Sequence, residues 1–264
     1  MSELITSVQN PRVKLVRRLR DKRDREREGR FVVDGLRDLE RALACGLGLD
    51  FVLVCPELLR EPLPDLPEGR VVRVTVDIMD KVSYRENPEG VAAVMMMPPT
   101  LGAYALGGVP DAPILGLVGL QKPGNIGALM RTADASGFRS VFLIDCDLDV
   151  YNPNIIRSST GAVFLGNVYR LSGGQARAFF RERGVQVVGT HLHAAQDAYA
   201  VVYQPRMALL MGTEDVGLSD DWLPACDAQV LIPMVGRLAD SLNVSVAGAI
   251  LMYEVLRQTR SAER

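Results

Sequence analysis

The chain predicts an α/β protein in which helices cover a mostly parallel sheet, because strand and helix patterns alternate along most of its length. Three observations carry that expectation. Short apolar runs such as "PILGLVGL" and "SVFLID" have the composition of strands buried on both faces. Several of these runs lead directly into turns rich in glycine, proline and polar side chains, where ligands sit in such folds. A Pro/Gly-rich stretch, "PPTLGAYALGGVPDA" at 98–112, interrupts the alternation and divides the chain. The division places a smaller α/β domain at 1–98, a linker at 99–112 and a larger α/β domain at 113–264.

The elements follow in order. One basic helix is expected over about 11–28, with Val13, Val16 and Leu19 facing inward. "RFVVDG" reads as a strand. "LRDLERALACG" puts Leu36, Leu39 and Leu43 on one helical face and stops at Gly46. "DFVLVCP" and "RVVRVT" are strands, "VDIMDKVS" a short helix and "NPEGVAAVMMMP" the closing strand. After the linker, "PILGLVGL" is a strand, "IGALMRTADASG" a helix and "SVFLID" a strand. "PNIIRSSTGAVF" and "GGQARAFFRERG" are helical. "VQVVGTH" and "RMALLMG" are strands, "GLSDDWLPAC" a short helix, "AQVLIPM" a strand and 241–258 the last helix, with Ser241 as its expected N-cap.

Composition narrows the function classes. With 264 residues, 48% of them apolar, the chain can bury a sizeable core. Four scattered cysteines without a CxxC pair, and only two histidines, His191 and His193, exclude a Cys/His zinc site and a disulfide framework. No metal is expected. A reducing, cytoplasmic setting fits best, since no apolar signal segment or membrane span is evident. Net charge is −2, yet residues 10–30 hold ten Lys/Arg against four Asp/Glu. This stretch is either the solvated face of an amphipathic helix or a surface for RNA, for which Arg17, Arg18 and Lys22 are the candidates.

Three strand ends hold the unusual polar residues. In "GLQKPGNIGALMRTADASG", Asn125 and Gly127 lie where a strand hands over to a helix, and Arg131 follows one turn later. A phosphate or carboxylate could meet both the helix start and the arginine there; a turn with a surface ion pair is the structural alternative. The stretch has neither the GxGxxG nor the GxxxxGKS spacing of the common nucleotide loops. In "LLMGTEDVGLSDDW", Gly212 and Gly217 bracket Glu214 after an apolar strand. In "VLIPMVGRLADSLNVSVAG", Pro233 between Ile232 and Met234 removes a backbone donor at a strand end. Ser241, Asn243 and Ser245 then alternate with Leu242, Val244 and Val246, more polar groups than one helix cap requires.

Together these stretches resemble the SpoU (TrmH-type) family of RNA ribose 2′-O-methyltransferases in the SPOUT superfamily. Asn125, Gly127 and Arg131 match its first motif; Gly212, Glu214 and Gly217 its second; Ile232, Pro233, Met234 and residues 241–245 its third. "ITSVQNPRVKLVRRL", "GRFVVDGLRDLERAL" and "SYRENPEGVAAV" are similar to the L30e/L7Ae-like substrate-binding domain that precedes many such enzymes. The resemblance implies a C-terminal α/β trefoil-knot domain that binds S-adenosylmethionine and forms a homodimer, acting on RNA, most often large-subunit (23S) ribosomal RNA. It implies a catalytic set of Arg131, Asn125, Glu214, Ser241 and Asn243, with Arg131 either a base or an electrostatic stabiliser. The donor would be received by Thr190, Gly212, Glu214, Gly217, Ile232, Met234, Leu242 and Asn243. Arg157 joins Arg17, Arg18 and Lys22 as an RNA contact. A tRNA methyltransferase and a non-catalytic RNA-binding or ribosome-assembly protein are the alternatives. A dinucleotide oxidoreductase would need the GxGxxG turn that is missing.

Overall fold

The computed structural model describes residues 4–67, 69–191, 196–213, 217–238 and 241–262. The chain forms two compact units, Met1–Pro99 with Asp149–Gly166, and Thr100–Leu148 with Asn167–Arg264. Among the described residues no helix is long and apolar enough to cross a membrane.

The first unit begins with α1 (Pro11–Arg18) and α2 (Lys22–Glu28), followed by β1 (Arg30–Asp34), α3 (Leu36–Ala44), β2 (Leu49–Val54), β3 (Val71–Arg73), α4 (Val76–Val82) and β4 (Val91–Met96). The sheet order is β1-β4-β2-β3. β4 pairs antiparallel with β1 and β2, and β3 runs parallel to β2. The inward residues of α1 (Val13, Val16) and Leu19 pack with Leu53, Ile78 and Val94 in one core.

The single basic helix expected over 11–28 is two helices. Asp21 interrupts it, because its side chain accepts the Arg23 N–H at 2.8 Å and so caps α2. The break frees the carbonyls of Leu19 and Arg20, and Arg25 Nη1 donates to both, at 2.6 and 2.7 Å. Arg25 is only 2% exposed. One of the arginines that the sequence placed on a solvated or RNA-facing surface therefore holds the turn between two helices.

The second unit contains β5 (Ile114–Val118), α5 (Pro123–Ala135) and β6 (Ser140–Ile144). The chain next supplies α6 (Pro153–Ser159) to the first unit. It returns through β7 (Val168–Leu171), α7 (Gly173–Arg183), β8 (Gln186–Thr190), β9 (Gln196–Asp197), β10 (Met207–Met211), β11 (Ala228–Leu231) and α8 (Val244–Ala262). The sheet is parallel throughout in the order β7-β6-β5-β10-β8-β11-β9. This is the expected α/β class with a parallel sheet. β7 is an addition: "VYRL" is four residues long, too short to show a strand period. α5 packs on α8, and a Cβ at Gly248 would overlap Leu129 Cδ2, so the two helices meet where α8 has no side chain.

The start of α8 also departs from expectation. Asn243, not Ser241, is the cap: its Oδ1 accepts from Ser245 N–H at 2.9 Å and from Ser245 Oγ–H at 2.6 Å, and its carbonyl accepts from Ala247 N–H. Val244 is the first helical residue, so Ser241 lies too far upstream for a cap to reach the free N–H groups.

Candidate active site

β8, β10 and β11 are neighbours in the sheet and end on the same side. Their carboxyl ends open into a cavity of about 310 Å³, the size range of small-molecule sites. Thr190 and His191 border it from β8, Met211 and Gly212 from β10, and Val230 to Ile232 from β11. Beyond β11, Met234, Ser241 and Leu242 close over it, and α8 turns Val244, Ala247 and Leu251 toward it. Those three stand at helical spacing i, i+3 and i+7 and so share one face.

Main-chain geometry sets the shape of this cavity. A Cβ at Gly212 would overlap the backbone of Gly217 and Leu218. Thr213 and Gly217 exchange two backbone hydrogen bonds of 2.9 Å, which bring Gly217 back beside the end of β10. Gly217 holds φ +75°, a conformation costly for any residue with a Cβ. Thr190 Oγ donates to the Leu210 carbonyl at 3.1 Å, tying β8 to β10 at the rim. Among the described lining residues His191 is the one with an ionisable side chain. Aliphatic and thioether walls with a hydroxyl rim suit a nucleoside with little negative charge; among the described lining residues a polyphosphate would meet no lysine or arginine.

Residues 112–253, more than half the chain, match the SpoU rRNA Methylase family. This chain belongs to that family. Residues 10–93 match the MRM3-like substrate binding domain. The SpoU methylase is 32% identical over 252 residues to the Bacillus subtilis protein named 23S rRNA (guanosine(2553)-2′-O)-methyltransferase RlmP, covering 95% of this chain and 98% of that one. A crystal structure described as an RNA 2′-O ribose methyltransferase matches with a TM-score of 0.82 at 36% identity, over 98% of this chain and 100% of that one. An AdoMet-bound rRNA methyltransferase from Sinorhizobium meliloti matches with a TM-score of 0.83 at 27% identity, over 97% and 98%. The donor in that relative is the kind of ligand the cavity chemistry accommodates here.

The expected donor residues Thr190, Gly212, Gly217, Ile232, Met234 and Leu242, with Ser241, all border the cavity of this SpoU methylase. Asn243 sits at the head of α8, outside the walls, and its Nδ2 donates to Asn125 Oδ1 at 3.3 Å. The pair joins the starts of α8 and α5, two motifs separated by more than a hundred residues. Arg131 is exposed on α5 and is not part of the cavity wall. Glu214 and His193 lie outside the described residues. Arg17, Arg18 and Arg157 are exposed and Lys22 is half-buried, all in the first unit. Sequence reasoning missed Met211, Ala247 and Leu251, and gave His191 no role at the site. The helical spacing of 244, 247 and 251 was the available signal for two of them; His191 follows β8 directly, and strand-end position alone could have marked it.

Proposed function

We propose that this chain is an S-adenosylmethionine-dependent RNA ribose 2′-O-methyltransferase acting in the cytoplasm on large-subunit ribosomal RNA. The observation that carries the reading is the apolar cavity at the ends of β8, β10 and β11, closed by the second and third motif loops. Gly212, Ile232, Met234 and Leu242 hold the donor, with Thr190 and Ser241 on its polar edge. When bound, S-adenosylmethionine supplies an electrophilic methyl group on a sulfonium centre. The protein would bring up a ribose 2′-hydroxyl and stabilise its oxygen as the proton passes to solvent water and the O–CH₃ bond forms while the S–CH₃ bond breaks, releasing the thioether. A guanidinium stays charged across the neutral range, so Arg131 is suited to hold the forming alkoxide rather than to remove the proton. Asn125 and Asn243 keep the loop starts in register beside it. Glu214 belongs to the same motif set, and the role assigned to it is to fix the loop between the two glycines.

The active form in this reading is a homodimer. Support comes from apolar surface on α8 and the loop before it: Val235 and Leu238 are each 98% exposed, and Leu242, Val246 and Tyr253 are also open. A trefoil knot belongs to the same reading, supported by Gly212, Gly217, Met234, Ser241 and Leu242 bordering one cavity. Arg17, Arg18, Lys22 and Arg157 serve as phosphate contacts.

The test is transfer of labelled methyl from S-adenosylmethionine to deproteinised 23S rRNA, with the modified nucleotide located by 2′-O-methyl mapping in cells with and without the gene. Arg131→Ala lowers kcat by about 10²–10³-fold while donor affinity stays within a few fold. Arg131→Lys restores little, since an ammonium lacks the planar fork. An Arg131→Ala protein of near-normal rate removes the assigned role. A gene deletion that leaves every 23S 2′-O-methyl site intact removes the assigned substrate.

A further inference from the structure

A second cavity lies in the first unit, remote in sequence from all three methylase motifs. It has a volume of about 420 Å³ and is bordered by Arg12, Leu15, Arg30, Asp50, Phe51 and Arg70. Three arginines share this cavity with one carboxylate. Asp50 Oδ2 pairs with Arg30 Nη1 at 3.2 Å, and Asp50 Oδ1 with Arg70 Nη1 at 3.3 Å. The Asp50 carbonyl accepts from the same Arg70 nitrogen at 2.6 Å. Asp50 therefore fixes two arginines side by side and neutralises only one charge. The third, Arg12, lies over the Phe51 ring, 5.5 Å from its centroid, and has its position set by that contact. Arg30 Nε is buried and has no hydrogen-bond partner among the described residues. A buried donor without an acceptor is costly, while the Nη1 end of Arg30 is the one turned to Asp50.

We propose that this cavity binds a backbone phosphate of the RNA substrate, with Arg12, Arg30 and Arg70 as its donors. Planar guanidinium forks match phosphate oxygens in pairs, and one whose orientation is already set loses little freedom on binding. Arg18 of α1 and Lys22 of α2 differ in this respect. Arg18 pairs with Glu28 and Lys22 with Glu26, each a near one-to-one match of charge on the helical surface. The proposal rests on the reading that the chain acts on RNA. It is supported by position, since all the residues named lie within 10–93, the stretch that matches a substrate-binding domain.

The experiment uses the full chain, deproteinised 23S rRNA as probe, and filter binding across a salt series. Arg12→Gln combined with Arg70→Gln lowers affinity about tenfold, and the slope of log affinity against log salt falls by about 1–2. S-adenosylmethionine titration and the thermal melt stay as in the parent, which separates a lost contact from lost folding. Arg60→Gln, an exposed charge removed from the same unit away from the pocket, changes affinity no more than twofold. Lysine at both pocket positions recovers only part of the affinity. Parent-like rRNA binding and salt slope in the double variant overturn the pocket while leaving the methylase reading standing. So does an Arg60→Gln loss as large as that of the double variant. Inorganic phosphate that shifts its ³¹P resonance on the parent but not on the variant, with rRNA affinity unchanged, assigns the pocket to free phosphate and overturns it as well. A parent protein that neither binds nor methylates rRNA overturns both readings.

Discussion

The donor cavity of the second unit and the charged interior of the first use polar chemistry in opposite ways. Among the described residues around the cavity His191 is the one with an ionisable side chain, and the shape comes from backbone, with Gly212 against Gly217 and Leu218. In the first unit buried charges bind one another. Arg25 places Nε and Nη2 on Asp149 Oδ2, at 2.8 and 2.5 Å, and gives Nη1 to two carbonyls. Asp34 accepts from the Ser83 hydroxyl at 2.7 Å and from the Tyr84 N–H at 2.5 Å. Backbone-imposed geometry restricts residue type, because only glycine fits, and leaves a mark in the sequence. A buried charge leaves no such mark, because its partner is distant in the chain.

The largest test of this contrast is the Arg25–Asp149 pair. Asp149→Ala leaves a guanidinium, 2% exposed, without its counter-charge. Breaking a buried pair from one side costs about 3–5 kcal/mol. The unfolding free energy of the first unit, read from its urea transition, should fall by that amount. Arg25→Met combined with Asp149→Leu should cost less, because a buried apolar pair carries no charge-desolvation penalty, and what it still costs is the donor lost by the Leu19 and Arg20 carbonyls. Equal losses in both variants would mean that packing, not charge, holds residues 149–166 to this unit.

The converse test is Gly212→Val. Its Cβ has no room against the Gly217 backbone, so the loop over the cavity must shift. Overpacking of this kind costs ~2 kcal/mol, or about 30-fold in affinity if it falls on the donor-binding form. Calorimetry with S-adenosylmethionine should show that loss in a protein whose circular dichroism is unchanged. Donor affinity equal to that of the parent would show that the cavity does not depend on this close approach.

The same contrast explains what the sequence disclosed. Gly212, Gly217 and Pro233 stood out because glycine and proline at strand ends have few structural uses. The parallel sheet was legible in its apolar runs, and β7 was not, for want of length. The arginines of residues 10–30 were legible only as charge. Arg12 on Phe51, Arg25 on Asp149 and Arg17 in solvent have equivalent sequence surroundings and three different environments. Nor could the sequence choose between Ser241 and Asn243 as the cap of α8, since both are good capping residues two positions apart.

The smallest expected effect concerns a buried carboxylate that the fold tolerates rather than needs. Asp38, in the first turn of α3, is 2% exposed, and its Oδ1 has no hydrogen-bond partner among the described residues. Burial raises its pKa above the ordinary carboxylate value, against the pull of Arg37, Arg85 and Arg41, while Glu89 adds to the rise. The helix start also favours the anion, and burial still prevails. A carboxyl with a raised folded-state pKa holds its proton more tightly folded than unfolded. Its contribution to stability is therefore most favourable below the unfolded value of about 3.9 and is lost as pH rises through the folded pKa. At pH 7 the ionised side chain carries its full burial penalty. Asp38→Asn removes that penalty, and Arg85 keeps its bonds to Glu89 and to the Asp34 carbonyl. The variant should melt about 1–3 °C higher than the parent at pH 7, and the difference should shrink toward zero as pH falls to about 4. A variant less stable at pH 7, by a margin that acid does not change, would show that the Asp38 carboxylate is held by its arginines more strongly than burial opposes it. The contrast between a charged interior that stabilises and one that is merely accommodated would then have to be redrawn around Arg85.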